Sequence, residues 1–217
     1  MNEILHYIWH RSQRDSGLRY LQNRLRYGAD APRPHERLWI KPSLITERHK
    51  RENRNMHPFG SRYSGCVFGG DWDLSRSRLW ASQKYKACRL HFKKGLSWEE
   101  TGIIDFSMRR IARDGAIDGL QTREEIVARY DAVDQIMATI KAEGRLRCAD
   151  PSARTEIGGV LVHIARDGSV LFGNEGYHRL ALARIARLPI MPVRLGVTHP
   201  QALKTDVLQR LRKPPAP

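Results

Sequence analysis

Cysteine is scarce in this chain. The three present, Cys66, Cys88 and Cys148, are odd in number, widely separated and in no CxxC pair. This argues against a disulfide framework and a structural zinc site, and points to a cytoplasmic protein; zinc, haem and iron–sulfur groups are not expected. Long apolar runs are missing as well. No stretch of about 18 apolar residues occurs, and the opening MNEILHYIWHRSQRD has no basic stretch leading into an apolar one, so neither a membrane span nor a secretion leader is expected. Acidic residues are outnumbered, with 23 Asp and Glu against 38 Lys and Arg, a formal net charge of +15. Polyanions, anionic surfaces and phosphorylated small molecules are drawn to such a chain.

What is present suffices for a core. A hydrophobic fraction of 41% over 217 residues suits one domain with an insertion, or two small lobes. Ile4, Leu5, Ile8 and Trp9, then Leu18, Leu21 and Leu25, recur at helical spacing and predict one or two basic amphipathic helices within residues 1–30, ended by Pro32 and Pro34. Leu38 to Ile40 reads as a short strand. The charged run Glu47 to Arg54 reads first as solvated surface, with a polyanion contact as the alternative.

The Gly69-Gly70-Asp71-Trp72-Asp73 segment is the sharpest local feature of the first half. Two carboxylates two residues apart share a side in an extended segment, which makes Asp71 and Asp73 candidates for a metal or hydroxyl-binding edge. An Asx-type turn with Trp72 anchored in the core is the competing explanation. From Leu79 to Phe92 a helix is expected, stopped at Lys94-Gly95. Ser97 with Glu100, and Thr122 with Glu125, both have capping-box spacing and predict helix starts. Val133, Ile136, Met137 and Ile140 form an apolar stripe on a helix running from Asp131 to Glu143 and ending at Gly144.

The last third is richest in signals. Gly159 to Ala165, GVLVHIA, is apolar on both alternating faces apart from His163, the pattern of a strand covered on both sides. Arg166 to Ser169 supplies an Asp-Gly turn and Val170 to Phe172 a partner strand. Leu180, Leu182, Ile185 and Leu188 then predict a helix ended by Pro189, and Ile190 to Leu195 a further strand. Gly176-Tyr177-His178-Arg179 therefore falls at a helix N-terminus. Unpaired backbone N–H groups and the helix dipole favour an anion there, and Arg179 adds a planar fork for phosphate or carboxylate. The alternative is an ion pair between Arg179 and Glu175 or another carboxylate.

The stretch GGVLVHIARDGSVLFGNEGYHRLALARIARLPIMPV, Gly158 to Val193, resembles the ParB and sulfiredoxin superfamily. There a strand pair leads through a glycine and an HR or RR dipeptide into a helix and then an IPV-like strand. The resemblance covers about half the chain. It implies an α/β (α+β) fold with a small mixed sheet of ParB/sulfiredoxin type, built from 31–60 and 123–200. Residues 1–30 would be a basic helical segment, 61–122 a mostly helical insertion and 201–217 a basic tail. Gly176, His178 and Arg179 match the phosphate-binding turn of that superfamily. Tyr177 stands where sulfiredoxins carry a catalytic cysteine, so thiol chemistry is not implied.

The expected function is nucleotide or phosphate binding, with phosphoryl transfer or triphosphate hydrolysis as its chemistry. The cofactor would be Mg²⁺ with ATP or CTP, the phosphate sites Gly176, His178 and Arg179, and the catalytic or metal-facing carboxylates Glu175, Asp71 and Asp73. A DNA- or RNA-binding protein or nuclease, using Arg11, Arg14, Arg19, Arg24 and Arg26, is the second expectation. A non-catalytic scaffold that keeps the fold is the third.

Overall fold

The computed structural model describes residues 16–50 and 59–214. They form two units. One comprises residues up to Leu79, Arg147–Gly176 and Pro189 onward, and the other Trp80–Leu146 with Tyr177–Leu188. The architecture is a mixed α/β fold, with a small mixed sheet in the first unit and helices in the second. Among the described residues no helix is long and apolar enough to cross a membrane.

The α/β unit opens on helix α1, Ser16–Tyr27. Its apolar stripe does not form its buried face: Leu21 and Leu25 are exposed by 57% and 82%, while Arg19 and Asn23 are buried. The polar pair is buried because it answers loop carbonyls. Arg19 Nη1 donates to Ser64 O at 2.5 Å, and Asn23 Nδ2 donates to Pro32 O at 2.9 Å and Gly65 O at 2.7 Å. Arg19, one of the arginines expected to meet nucleic acid, is buried and bonded to the chain's own backbone. Ile4 to Trp9, Arg11 and Arg14 lie outside the described residues.

Strands β1 (Arg37–Ile40), β2 (Glu47–His49), β3 (Arg76–Arg78), β4 (Leu161–Ile164), β5 (Val170–Phe172) and β6 (Met191–Thr198) form one sheet in the order β1-β6-β4-β5-β2-β3. β4 runs parallel to β6 and antiparallel to β5, and all four of its residues are buried, as its double-sided apolar pattern predicts. The first residues of the charged run are sheet, not solvated surface: β2 is hydrogen-bonded between β5 and β3, and His49 is buried. One sheet face is covered by the loop that carries Phe59, Cys66 and Trp72, which pack on Ala165, Leu171 and Val197. The 201–217 segment contains a helix, Val207–Arg212, which packs on β1 and buries Val207 and Leu208. Arg212 anchors it through Glu36 at 2.7 Å.

The helical unit contains α2 (Gln83–Lys94), α3 (Ile103–Asp114), α4 (Arg123–Glu143) and α5 (Tyr177–Ile185). Thr122 and Glu125 make a full capping box, and α4 runs 21 residues from it without a break, longer than the Asp131 start expected. Ser97 and Glu100 also exchange their two bonds, Ser97 N to Glu100 Oε2 at 2.7 Å and Glu100 N to Ser97 Oγ at 3.2 Å. Yet only a turn follows, and α3 begins at Ile103. The reciprocal bonds close a turn as well as they open a helix. α5 stops at Ile185, short of Leu188. Leu188 N donates to Ala183 O, Arg187 N to Arg184 O, and Arg187 takes a left-handed φ of 56°, a Schellman ending that precedes Pro189.

Candidate functional site

The residues singled out in the sequence separate into three settings. Asp71 and Asp73 close on Arg166, which lies in the turn between β4 and β5. Its Nη2 reaches Asp71 Oδ1 at 2.7 Å and Asp73 Oδ1 at 2.8 Å, and its backbone N–H donates to Asp73 Oδ2 at 2.9 Å. The Asp73 side chain is fully buried and that of Asp71 is 78% exposed. Burial opposes the charged form of Asp73, but the hydrogen bonds and charge of Arg166 prevail and hold its carboxyl below the ordinary range. Trp72 is buried between them and donates Nε1–H to Phe68 O at 2.9 Å.

Glu175 is held elsewhere in the same unit. Its Oε1 accepts from Ser61 N at 2.8 Å and its Oε2 from Arg194, an arginine buried on β6. Among the described residues, no three carboxylate, histidine or cysteine side chains gather as a metal group. Gly176 follows with φ +87°, and a Cβ there would lie 2.8 Å from Val160 Cα. The close approach that requires this glycine is therefore made by the chain's own backbone.

His178 and Arg179 occupy the first turn of α5 in the helical unit. His178 packs edge-on to the buried Tyr130 ring, centroids 5.3 Å apart. Tyr130 continues through Trp98 to His91, and Asp134 ties those two by Trp98 Nε1 at 2.9 Å and His91 Nε2 at 3.0 Å. Burial, with the charges of Lys84 and Arg129 adding to it and Asp118 opposing, pushes the His178 imidazole down to about 4. It is neutral at pH 7. Asp118 receives both neighbouring cations, Lys84 by a short contact and Arg129 at 3.1 Å. Burial disfavours its charge, but Lys84 outweighs that and lowers its pKa.

Two polar atoms of this turn have no partner. His178 Nε2 and Arg179 Nη1 are both buried from solvent and make no hydrogen bond. Both Glu175 oxygens have partners within the α/β unit, Ser61 N and Arg194. Around His178, Lys84 and Arg129 carry two positive charges against the one carboxylate of Asp118, at the end of a helix that already bears a partial positive charge. Leaving buried donors unanswered costs about 1 to 3 kcal/mol each. An anion within reach of either atom would remove that atom's share of the cost.

Lys84, Asp118, Arg129 and Arg194 were not readable from sequence as parts of these settings. Lys84 and Arg129 lie tens of residues from His178, within ordinary basic helix faces. Two thiols are buried, and burial pushes Cys66 up to about 11 and Cys88 to about 12. Comparison of the chain with protein-family models, curated proteins and solved structures returned no match.

Proposed function

We propose that this protein binds a phosphorylated small molecule, a nucleotide in the first instance, through the first turn of α5. The observation that carries this reading is the pair of buried, unpartnered groups His178 Nε2 and Arg179 Nη1 beside a surplus of cations. Helix N–H groups would receive phosphate oxygens, Arg179 would add two parallel charge-assisted bonds, and Lys84 would supply a point charge. The resemblance of Gly158–Val193 to ParB and sulfiredoxin proteins supports the same reading, and a ParB/sulfiredoxin-type sheet belongs to the proposal. Phosphoryl transfer or triphosphate hydrolysis is the activity such a site would serve, with Mg²⁺ arriving on the nucleotide.

Calorimetry with ATP, CTP, ADP and pyrophosphate, each with and without Mg²⁺, tests it directly. Affinity is expected to fall in the order wild type, Arg179→Lys, Arg179→Ala, because an ammonium replaces only part of a planar fork. Denaturant unfolding of the same three proteins is expected to show no loss greater than about 1 kcal/mol, since Arg179 forms no ion pair among the described residues and its Nη1 is unanswered. Folded wild-type protein that binds none of the four ligands rules the reading out in favour of a scaffold. A stability loss of about 3 to 5 kcal/mol in Arg179→Ala would show a buried structural pair instead.

A further inference from the structure

The helical unit carries a second feature, independent of the phosphate-binding turn. A groove of about 250 Å³ lies along one face of α2, lined by Trp80, Tyr85, Lys86, Arg89, Leu90, Lys93 and Lys94. Its lining is of two kinds. Trp80, 44% exposed, Leu90 and the Tyr85 ring are apolar. Tyr85 is fixed in place because its hydroxyl accepts from Arg184 Nε at 3.0 Å. The other four residues are cations, and no carboxylate is among the described lining residues.

Lys86, Arg89, Leu90 and Lys93 recur at three- and four-residue intervals, so one helical face presents a cation on each turn over about 10 Å. A salt-bridged surface helix has carboxylates interleaved at that spacing, as in the Arg110–Asp114 and Arg210–Asp206 pairs of this chain. The lining of this groove has none. An apolar strip rimmed by charge of one sign is complementary to a segment that is apolar on one side and opposite in charge on the other.

We propose that the α2 groove docks an acidic amphipathic helix of a partner protein. Apolar side chains at i and i+4 of that helix would lie on Trp80 and Leu90, and flanking Asp or Glu would meet Lys86, Arg89 and Lys93. A single nucleic-acid strand is the less suitable occupant, because sequence-independent grooves for it provide successive aromatic platforms, whereas of the two aromatic residues lining this groove Trp80 is exposed and Tyr85 is buried.

Fluorescence anisotropy on the full chain decides the matter, using a fluorescein-labelled peptide of Leu and Glu placed at helical spacing and a scrambled peptide of the same composition. The patterned peptide is expected to bind at least about tenfold tighter than the scrambled one. Lys86→Glu, Arg89→Glu and Lys93→Glu combined should lose about tenfold or more, and the neutral Gln set should lose in the same direction. Arg24→Glu, Lys41→Glu and Lys204→Glu, equal in charge but in the other unit, should leave binding within about twofold, and Trp80→Ser should weaken only the patterned peptide. Equal binding of both peptides, or equal losses from the two charge sets, overturns the proposal. So does an oligothymidine that binds tighter than the peptide through the same three residues. Arg179→Ala should leave peptide binding unchanged, which keeps this test separate from that of the phosphate turn.

Discussion

His178 is a histidine whose protonation a ligand would change. With its free pKa near 4, owing first to burial and then to Lys84 and Arg129, it enters any complex neutral at pH 7. An anion beside Nε2 favours the charged form and raises that pKa. Binding should therefore take up a proton at pH values between the two pKa values, and affinity should rise as pH falls below the raised bound-state pKa, levelling off near the free value of about 4. Calorimetry in two buffers of different ionisation heat measures the uptake directly, and His178→Gln is expected to abolish it while retaining weaker binding. Affinity flat from pH 7 to 5 in the wild type would contradict contact between the imidazole and the anion. Asp73 is the counter-case: it shares a motif with the exposed Asp71, yet its carboxylate is buried and bonded to Arg166.

Strand β4 shows how an element accommodates a polar side chain in a fully buried row. The His163 ring lies against two glycines, Gly173 and Gly196, where a Cβ would come within 2.9 Å of Nε2 and 2.3 Å of Nδ1 respectively. Nδ1 accepts from Val197 N at 3.1 Å. Gly196→Ala would place a methyl against both the ring and Val162 O, an overpacked core position that should cost about 1 to 3 kcal/mol. Urea unfolding should show a lower midpoint at unchanged slope. Gly69→Ala, whose nearest neighbour would be Pro200 Cγ at 3.7 Å, should be nearly neutral. If the two substitutions prove equally mild, the ring is not confined by Gly196 as described.

At the scale of the whole molecule, the buried histidines His163 and His178 are expected to lower stability in acid. Burial, aided by His49, lowers His163 to about 3 in the α/β unit, and burial lowers His178 to about 4 in the helical unit. Both lie below the ordinary 6.5 of the unfolded chain, so the unfolded state binds more protons between those values and stability falls as pH decreases through that window. Each histidine contributes about 1.4 kcal/mol per pH unit. Asp73, with its pKa lowered through Arg166, adds to the same loss at lower pH. Thermal unfolding should show a Tm that declines steadily from pH 6.5 to pH 4, less steeply in His163→Gln. A Tm constant over that range would mean that His163 and His178 already titrate normally in the folded protein.

Local signals in the chain were sufficient for elements whose physics is local. The double-sided apolar run of β4, the Asp-Gly hairpin turn, the Thr122–Glu125 capping box and the start of α5 at Tyr177 all follow from side-chain period and backbone chemistry within a few residues. The same reasoning named His178 and Arg179, because a helix N-terminus is a local feature. It did not reach what depends on distant partners. Leu21 and Leu25 look like a core stripe until the carbonyls of Pro32, Ser64 and Gly65 draw Asn23 and Arg19 inward. Asp71, Asp73 and Glu175 look alike in sequence, but an Arg166 that lies 93 residues beyond Asp73 and a buried Arg194 give them their partners. Whether a charge is paired depends on which opposite charge the fold brings within about 4 Å, and Coulomb interactions take no account of sequence separation. For that reason the unpartnered Nη1 of Arg179 and the carboxylate-free lining of the α2 groove became visible in the folded chain and not before.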